Sequence, residues 1–315
     1  MSHAPVRLAA IDIGTVTTRL LIADVDEVSI TEVERSTDIT HLGEGLAITG
    51  RLAPGAIGRV ADVLGRYAAI IRSSGVLQIV AVATSAARDA HNGEEFLDAL
   101  AAHGIHPLII DGSREAHLSF LGATWGVAHQ RVMVDDIGGG STEIIVGRPA
   151  PGVLSGASVE RARSFDVGSR RLTEAFIHSD PPTRDELERV RNEAAAVLGP
   201  FYDGLDGQID ELISVAGTAT TLAAIRMSMH EYDPARVHGS TLTLPQVSAL
   251  IERLASMTLE QRSRVPGLHP GRASVIVAGA LILEQVIRLA EQESTRVSER
   301  DILYGMLLDA YASGA

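Results

Sequence analysis

Cysteine and lysine are both absent from the 315 residues of this chain. The lack of cysteine excludes disulfide bonds, cysteine-ligated zinc and thiol catalysis. Because there is no lysine, all 27 basic residues are arginine. This excludes the phosphate-binding loop GxxxxGK[ST], the strand lysine of protein kinases and a lysine Schiff base. Aromatic residues make up only 3% of the chain, too few to form a stacking platform for nucleic-acid bases.

Long hydrophobic runs and positive net charge are also lacking. The longest apolar stretch, 273–283, is far shorter than the roughly 20 residues that span a bilayer, so no membrane association is expected. No secretory signal is visible at the N-terminus, which makes the cytoplasm the expected location. A net charge of −13 argues against a nucleic-acid partner. An anionic substrate would need local arginines, backbone N–H groups or a divalent cation.

The first half of the chain alternates strand and helix patterns. The chain is 45% hydrophobic and long enough for about two domains. Helical spacing of apolar residues covers 56–72, and two further helices are predicted to begin after the caps Asn92 and Ser113. Strand-like runs are predicted at 8–13, 19–24, 77–82 and 107–110. This alternation favours an α/β fold with a largely parallel sheet covered by helices.

The second half repeats the alternation, and we place the domain boundary near 125–130. The resulting domains are 1–128 and 129–315, with a C-terminal helix at about 298–315 that packs back on the first domain. A capping box at Thr183–Glu186 predicts the start of a long helix. Loops are predicted at 148–156 and 179–182. The other predicted elements are strands at 131–135, 143–147 and 212–216 and helices at 218–229, 245–256, 272–292 and 298–311.

Two segments of the chain align with each other without gaps. Residues 10–23 read AIDIGTVTTRLLIA, and residues 134–147 read VDDIGGGSTEIIVG. Each is an apolar strand, an Asp-Ile-Gly step, a run of small or hydroxyl residues and a second apolar strand. This predicts a β-hairpin whose turn exposes backbone N–H groups that bind an anion such as phosphate. One copy alone is more simply a structural hairpin, but two copies favour two turns that hold phosphates across an interdomain cleft.

At these segments the chain resembles the actin-like ATPase superfamily. Residues 12–19 and 136–143 are similar to its two phosphate motifs, and 215–221 takes the place of a third glycine motif. Other stretches resemble the exopolyphosphatase/guanosine pentaphosphate phosphatase (Ppx/GppA) family, namely 83–90, 111–116, 168–176, 237–239 and 266–280. The resemblance implies an α/β fold of two actin-like (ribonuclease H-like) domains with an active-site cleft between them, in a short form without the family's C-terminal helical extension.

Glu115 is the candidate catalytic base, because 111–116 resembles the family segment that carries the catalytic glutamate. It is also the only acid between Asp111 and Asp135. The simpler interpretation is a solvated first-turn glutamate favoured by the helix dipole. The chain departs from the family pattern at Val16, which has no side-chain donor, and at Arg114, where the family often has an acid.

The candidate metal ligands are Asp136 and Glu143, at the two ends of the second turn. Carboxylates placed in this way suit Mg²⁺, or another divalent cation such as Mn²⁺. Asp12 is the symmetry partner and would contribute through water. A solvent-facing strand position is the alternative for Glu143. Asp135 points the opposite way from Asp136 and is left out of the site.

Phosphate-binding residues are expected in three glycine segments and at two arginines. Arg19 and Arg88 could act as bidentate forks, with ordinary ion pairs as the alternative. Arg170 and Arg171 attract the polyanion or form a solvated pair. The expected contacts from the glycine segments are Gly14, Thr15, Thr17 and Thr18 in the first; Gly138, Gly139, Gly140 and Ser141 in the second; and Gly217 and Thr218 in the third, which is otherwise a plain strand-to-helix turn.

The resemblance implies an exopolyphosphatase that removes terminal phosphate from inorganic polyphosphate, with short chains favoured. Guanosine pentaphosphate (pppGpp) hydrolysis is the nearest alternative, and other nucleotides are possible substrates. A sugar or acid kinase of the same superfamily and a nucleotide sensor without turnover are alternatives from other classes. The resemblance also implies a homodimer, without nucleic-acid or membrane partners.

Overall fold

The computed structural model describes residues 4–127, 131–149 and 157–314, and the chain forms two compact units. The first unit contains residues up to 129, 149–158 and those from 300 onward, and the second contains 130–148 and 159–299. The C-terminal helix thus belongs to the first unit. None of the described helices is long and apolar enough to cross a membrane.

The first unit is built on a five-stranded sheet in the order β3-β2-β1-β4-β5. The pairs β1–β2 and β2–β3 are antiparallel, and β1–β4 and β4–β5 are parallel. Its strands are β1 (Val6–Ile13), β2 (Thr17–Val25), β3 (Ile30–Ile39), β4 (Gln78–Ala83) and β5 (Leu108–Ile109). Its helices are α1 (Leu46–Thr49), α2 (Pro54–Ser73), α3 (Ser85–Asp89), α4 (Gly93–Ala101), α5 (Gly112–Ala123) and, at the end of the chain, α13 (Ile302–Ala312).

Both faces of this sheet are covered by helices. Ile11 and Ile13 of β1 share one core with α2 and α4, while Leu8 and Ala10 share the other with α5 and α13. The alternation follows from the two-residue period of a strand. A strand that is buried on both faces has to be apolar at almost every position, as β1 is.

The second unit is built on a six-stranded sheet in the order β10-β11-β9-β6-β7-β8. Its strands are β6 (Val132–Ile137), β7 (Thr142–Arg148), β8 (Ser158–Phe165), β9 (Glu211–Val215), β10 (Thr241–Thr243) and β11 (Ser294–Val297). Its helices are α6 (Ser169–Phe176), α7 (Arg184–Tyr202), α8 (Ala216–Arg226), α9 (Pro234–Val237), α10 (Leu244–Ala255), α11 (Leu259–Arg262) and α12 (Ile276–Leu289). The strand order β8-β7-β6-β9 repeats the order β3-β2-β1-β4, which explains the internal sequence repeat.

Most of the predicted elements are confirmed, but one predicted cap is wrong and another lacks its side-chain hydrogen bond. The capping box of Thr183 and Glu186 is present. Asn92 occupies the N-cap position of α4 as predicted, but its side-chain amide makes no cap hydrogen bond, because it accepts the Leu52 N–H at 2.8 Å and donates to the Leu52 carbonyl at 3.1 Å. Ser113 does not cap α5, because the carboxylate of Asp111 accepts the Arg114 N–H at 2.8 Å.

Two helix starts and several strands also differ from the prediction. The helix predicted at 272–292 begins at Ile276, after a 3-10 turn at Pro270–Arg272. The helix predicted at 298–311 begins at Ile302, because Asp301 is its cap. The strands β3, β8, β10 and β11 were not predicted, since their residues lack a continuous apolar pattern. The predicted loop 148–156 and the predicted boundary 125–130 lie partly outside the described residues.

Candidate active site

The first turn, residues 14–17, joins β1 to β2 and is closed by the Gly14 N–H, which donates to the Thr17 carbonyl at 2.9 Å. Residues 40–43, which follow β3, bind the outer side of this turn. Gly43 donates its N–H to the Thr15 carbonyl at 2.9 Å, and Thr40 donates to the Val16 carbonyl at 3.0 Å. In a trans peptide the N–H points opposite to the preceding carbonyl, so the N–H groups of Val16 and Thr17 point away from this segment. A Cβ at Gly43 would lie 2.4 Å from Cγ2 of Thr15, so the close approach requires glycine.

The second turn, residues 138–141, joins β6 to β7 in the same way. The Gly138 N–H donates to the Ser141 carbonyl at 3.0 Å. The carbonyls of the three glycines accept hydrogen bonds from the start of α6. Ser169 N–H donates to Gly138 at 2.9 Å, Arg170 N–H to Gly139 at 2.8 Å, and Arg171 Nε to Gly140 at 2.8 Å. The N–H groups of residues 139–141 therefore point away from α6, and the hydrogen bonds among the described residues use none of the three as donors.

The two turns thus share one construction, each within its own unit. In each unit a later segment donates hydrogen bonds to the carbonyls of the turn. The N–H groups of the turn therefore point to the opposite side. In the second unit a Cβ at Gly168 would lie 2.5 Å from the backbone of Gly139 and Gly140, the counterpart of the close approach at Gly43. Successive N–H groups that point the same way form a binding site for anionic oxygens.

Arg19 binds two buried carboxylates of the first unit. Its Nη2 and Nε donate to one oxygen of Asp12 at 2.6 and 3.1 Å, and its Nη1 donates to Asp301. The pKa of Asp12 lies above its ordinary value, chiefly because the carboxyl is buried; the Arg19 cation partly opposes this shift, and the charge of Asp301 adds to it. The structure therefore shows Arg19 in ion pairs with both carboxylates, and phosphate binding by Arg19 stays a prediction. The neighbouring Thr18 hydroxyl is buried and lies 3.1 Å from that of Thr40.

Glu115 and Arg88 are brought together by the fold. Glu115 lies in the first turn of α5, and Arg88 lies in the last turn of α3. Arg88 Nη1 donates to Glu115 Oε2 at 2.9 Å and to the carbonyl of Ile110 at 3.0 Å. Glu115 is only 7% exposed, so it is not the solvated glutamate of the simpler interpretation. Its carboxylate is held in one orientation by a cation, which suits a group that has to accept a proton at a defined position.

Asp136 and Glu143 face each other across the β6–β7 pair and are both buried. Glu143 Oε1 accepts the hydroxyl of Ser164 at 2.6 Å, a contact that no sequence pattern indicated. Burial contradicts the solvent-facing alternative for Glu143. Two carboxylates with hard oxygens suit Mg²⁺, which keeps several waters. In the described part of the chain no group of three or more His, Asp or Glu side chains is placed to hold a metal ion.

Asp135 points to the other side of β6, as strand alternation requires. It is fully buried, and its Oδ2 accepts the Ser214 hydroxyl at 2.5 Å. That hydroxyl lies 2.7 Å from the hydroxyl of Thr295, so a buried polar row crosses β6, β9 and β11. Burial, and secondarily the charge of Asp136, raises the pKa of Asp135 to about 8.

The third glycine segment is the strand-to-helix turn between β9 and α8. The Thr218 hydroxyl donates to the carbonyl of Ile137 at 3.1 Å, which ties α8 to the end of β6. A Cβ at Gly217 would lie 1.6 Å from Nη1 of Arg272, so the guanidinium of Arg272 lies directly against this glycine. The backbone of Ala216 has φ +59°, in the left-handed region that costs a non-glycine residue free energy. Sequence reasoning missed Arg272, because nothing local marks it.

The arginines of α6 are not a solvated pair. Arg170 is 8% exposed and donates to Glu174 at 3.1 Å, and Arg171 binds the second turn. Ser141 is also buried, as are Thr15 and Thr218 among the predicted phosphate contacts.

Comparison with known proteins gives consistent results along the whole chain. The model of the Ppx/GppA phosphatase family matches residues 21–313. The chain is 40% identical to Exopolyphosphatase 2 of Mycobacterium tuberculosis over 319 residues, covering 96% of this chain and 98% of the relative. The crystal structure of an exopolyphosphatase-like protein matches with a TM-score of 0.90 and 34% identity, covering 98% of both chains. The crystal structure of the Aquifex aeolicus member of the Ppx/GppA family matches with a TM-score of 0.80 and 31% identity over 98% of both chains.

Proposed function

This chain belongs to the Ppx/GppA phosphatase family and is a phosphoanhydride hydrolase of actin-like α/β fold, and from this premise we propose that it is an exopolyphosphatase. Its substrate would be inorganic polyphosphate, and its product would be orthophosphate released from the chain end. The observation that carries the proposal is the buried Glu115 carboxylate held by Arg88. The 40% identity to an exopolyphosphatase supports the choice of substrate.

In the proposed reaction, water attacks the terminal phosphorus atom in line with the bridging oxygen. Glu115 orients this water and accepts its proton. The bond between the terminal phosphorus and the bridging oxygen breaks, and the shortened chain leaves with the electron pair of that bond. N–H groups of the two turns donate to phosphate oxygens, whose charge they stabilise as it shifts during the reaction.

A divalent cation, Mg²⁺ or Mn²⁺, would neutralise phosphate oxygens when bound. Asp136 and Glu143 fit such an ion, since they are paired carboxylates at the two ends of the second turn. Asp12 is the corresponding carboxylate of the first unit. The Ser164 hydroxyl donates to Oε1 of Glu143 and so orients this carboxylate.

The test is orthophosphate release by the E115Q variant. We expect turnover of polyphosphate to fall by about 10²–10⁴-fold, because glutamine cannot accept the proton, while polyphosphate binding is retained. The matched control is E94Q, the same change at an exposed first-turn glutamate of α4, which should keep activity within twofold. Unchanged turnover in E115Q would remove Glu115 from the base role.

Substrate class is tested on the wild-type protein with polyphosphates of defined length, pppGpp and ATP, each with and without MgCl₂. Orthophosphate release from polyphosphate without an added acceptor is the expected result. Faster hydrolysis of pppGpp would make the chain a guanosine pentaphosphatase. ADP formation only in the presence of an acceptor hydroxyl would instead make it a kinase.

A further inference from the structure

Asp301 is fixed by four contacts at the start of the C-terminal helix. Its Oδ1 accepts the N–H of Leu303 at 3.0 Å and so caps α13, and its backbone carbonyl accepts the N–H of Gly305 at 3.1 Å. The same carbonyl lies 1.9 Å from the place where a Cβ of Gly122 would be, so α5 packs directly against it. Its second carboxylate oxygen accepts a hydrogen bond from Nη1 of Arg19. Asp301 is 3% exposed.

Arg19 links Asp301 to Asp12, which lies in β1 two residues before the first turn. The guanidinium of Arg19 is shared between Asp301 and Asp12, which pairs with Arg19 in the β1–β2 register. Two carboxylates and one guanidinium carry a net charge of −1. Since Asp12 and Asp301 are both buried, water screens this charge poorly. Arg19 therefore does not fully neutralise Asp12.

We propose that Asp301 is a positioning residue of the active site, which divides the charge of Arg19 and thereby keeps Asp12 able to attract a divalent cation. The inference rests on the proposed function, because it assumes that the enzyme uses such a cation. It adds a role for a residue that lies 282 positions from Arg19 in the chain. It also makes the docking of α13 a condition for an active first turn.

The test is the D301N variant, because asparagine caps a helix as well as aspartate does but carries no charge. In D301N, Asp12 is the one remaining carboxylate of this group of three, so the positive charge of Arg19 neutralises Asp12 more fully. We expect the MgCl₂ concentration for half-maximal orthophosphate release to rise by about tenfold. We also expect the increase in Tm that MgCl₂ alone gives to the substrate-free protein to become smaller.

The matched control is D309N, on the same helix. Asp309 pairs with Arg114 of α5 at the exposed end of α13, so D309N removes one ion pair and one negative charge from the same element. It should keep the wild-type response to MgCl₂ in both measurements. A role of Asp301 in helix stability alone would lower the Tm without magnesium and leave the magnesium dependence unchanged.

The outcomes separate this inference from the proposed function. A wild-type protein that shows neither activation nor a Tm shift with MgCl₂ overturns this inference and the magnesium part of the proposed function. A normal wild-type response with D301N within twofold of it overturns the role of Asp301 alone. If D301N does not fold, D301S supplies a neutral cap of smaller size, and the same tenfold rise is expected.

Discussion

At the scale of single residues, the buried Asp135 makes stability depend on pH. In the unfolded chain its pKa is near the ordinary value of 3.8, and burial raises the pKa to about 8 in the folded protein. Between these values the folded protein holds a proton that the unfolded chain has released. Rising pH therefore favours unfolding, by up to about 1.4 kcal/mol per pH unit for this one group.

Replacing Asp135 by asparagine should remove this dependence. In D135N the side chain stays neutral at every pH, so its free energy of unfolding should fall less than that of the wild type between pH 5 and pH 8. The two proteins should be similar in stability below pH 3.8, where Asp135 is protonated in both states, and the variant should be increasingly more stable from pH 5 to pH 8. Urea unfolding at several pH values measures both slopes.

The control for this prediction is D206N, because Asp206 is an exposed aspartate of the same unit. D206N should follow the wild-type slope. Parallel stability curves for D135N and the wild type would mean that Asp135 is ionised in the folded protein.

At the scale of elements, α5 and α13 meet through two glycines. A Cβ at Gly305 would lie 1.9 Å from the carbonyl oxygen of Leu118, and the approach at Gly122 is equally close. The atoms that the Cβ would meet belong to the backbone, which cannot change its rotamer to make room as a long side chain can. The close packing sets the position of α5 and hence of Glu115, in its first turn.

The variant G305A should lose about 3 kcal/mol or more of the free energy of unfolding, because the added methyl group forces the two helices apart. It should also lose activity, as α5 moves. The control is G58A in α2, where a Cβ would meet nothing within 4 Å and the residue is exposed. That change should add about 0.5–1 kcal/mol, since alanine favours a helix. Chemical denaturation compares the three proteins, and equal stability of G305A and the wild type would contradict the close packing.

The helix starts show what local sequence can predict. The cap Thr183 and its partner Glu186 are three residues apart, so the whole motif is visible in the sequence. The pKa of Glu186 is lowered to about 2, chiefly by the backbone N–H groups of Thr183 and His178. Asn92 has the same local signature with Glu95, but its amide binds Leu52, 40 residues earlier. A cap prediction fails where a distant backbone competes for the same side chain.

At the scale of the whole molecule, the proposed polyanionic substrate has to bind to a protein with a net charge of −13. The proposed function therefore requires a cation in addition to the arginines and the turn N–H groups. Removal of divalent ions with EDTA should abolish orthophosphate release, and added MgCl₂ should restore it. The fold should persist in EDTA, because the cores of both units consist of apolar side chains.

Circular dichroism in EDTA checks that the fold remains, and a phosphate assay checks the loss of activity. Full activity in EDTA would contradict the magnesium part of the proposal and leave the hydrolase class intact. Loss of the fold in EDTA would show a structural metal site instead.

The sequence by itself determined the composition limits, the two aligned turns and the α/β class, because each depends on residue type and short-range spacing. The choice of Glu115 came from the resemblance of 111–116 to the family segment. The tertiary structure alone decided that Arg19 binds Asp301, that Ser164 orients Glu143 and that Arg272 fills the space above Gly217. These partners lie far apart in the chain, and no periodicity connects them. Their meeting depends on how strands and helices pack, since packing brings together side chains that local spacing cannot relate.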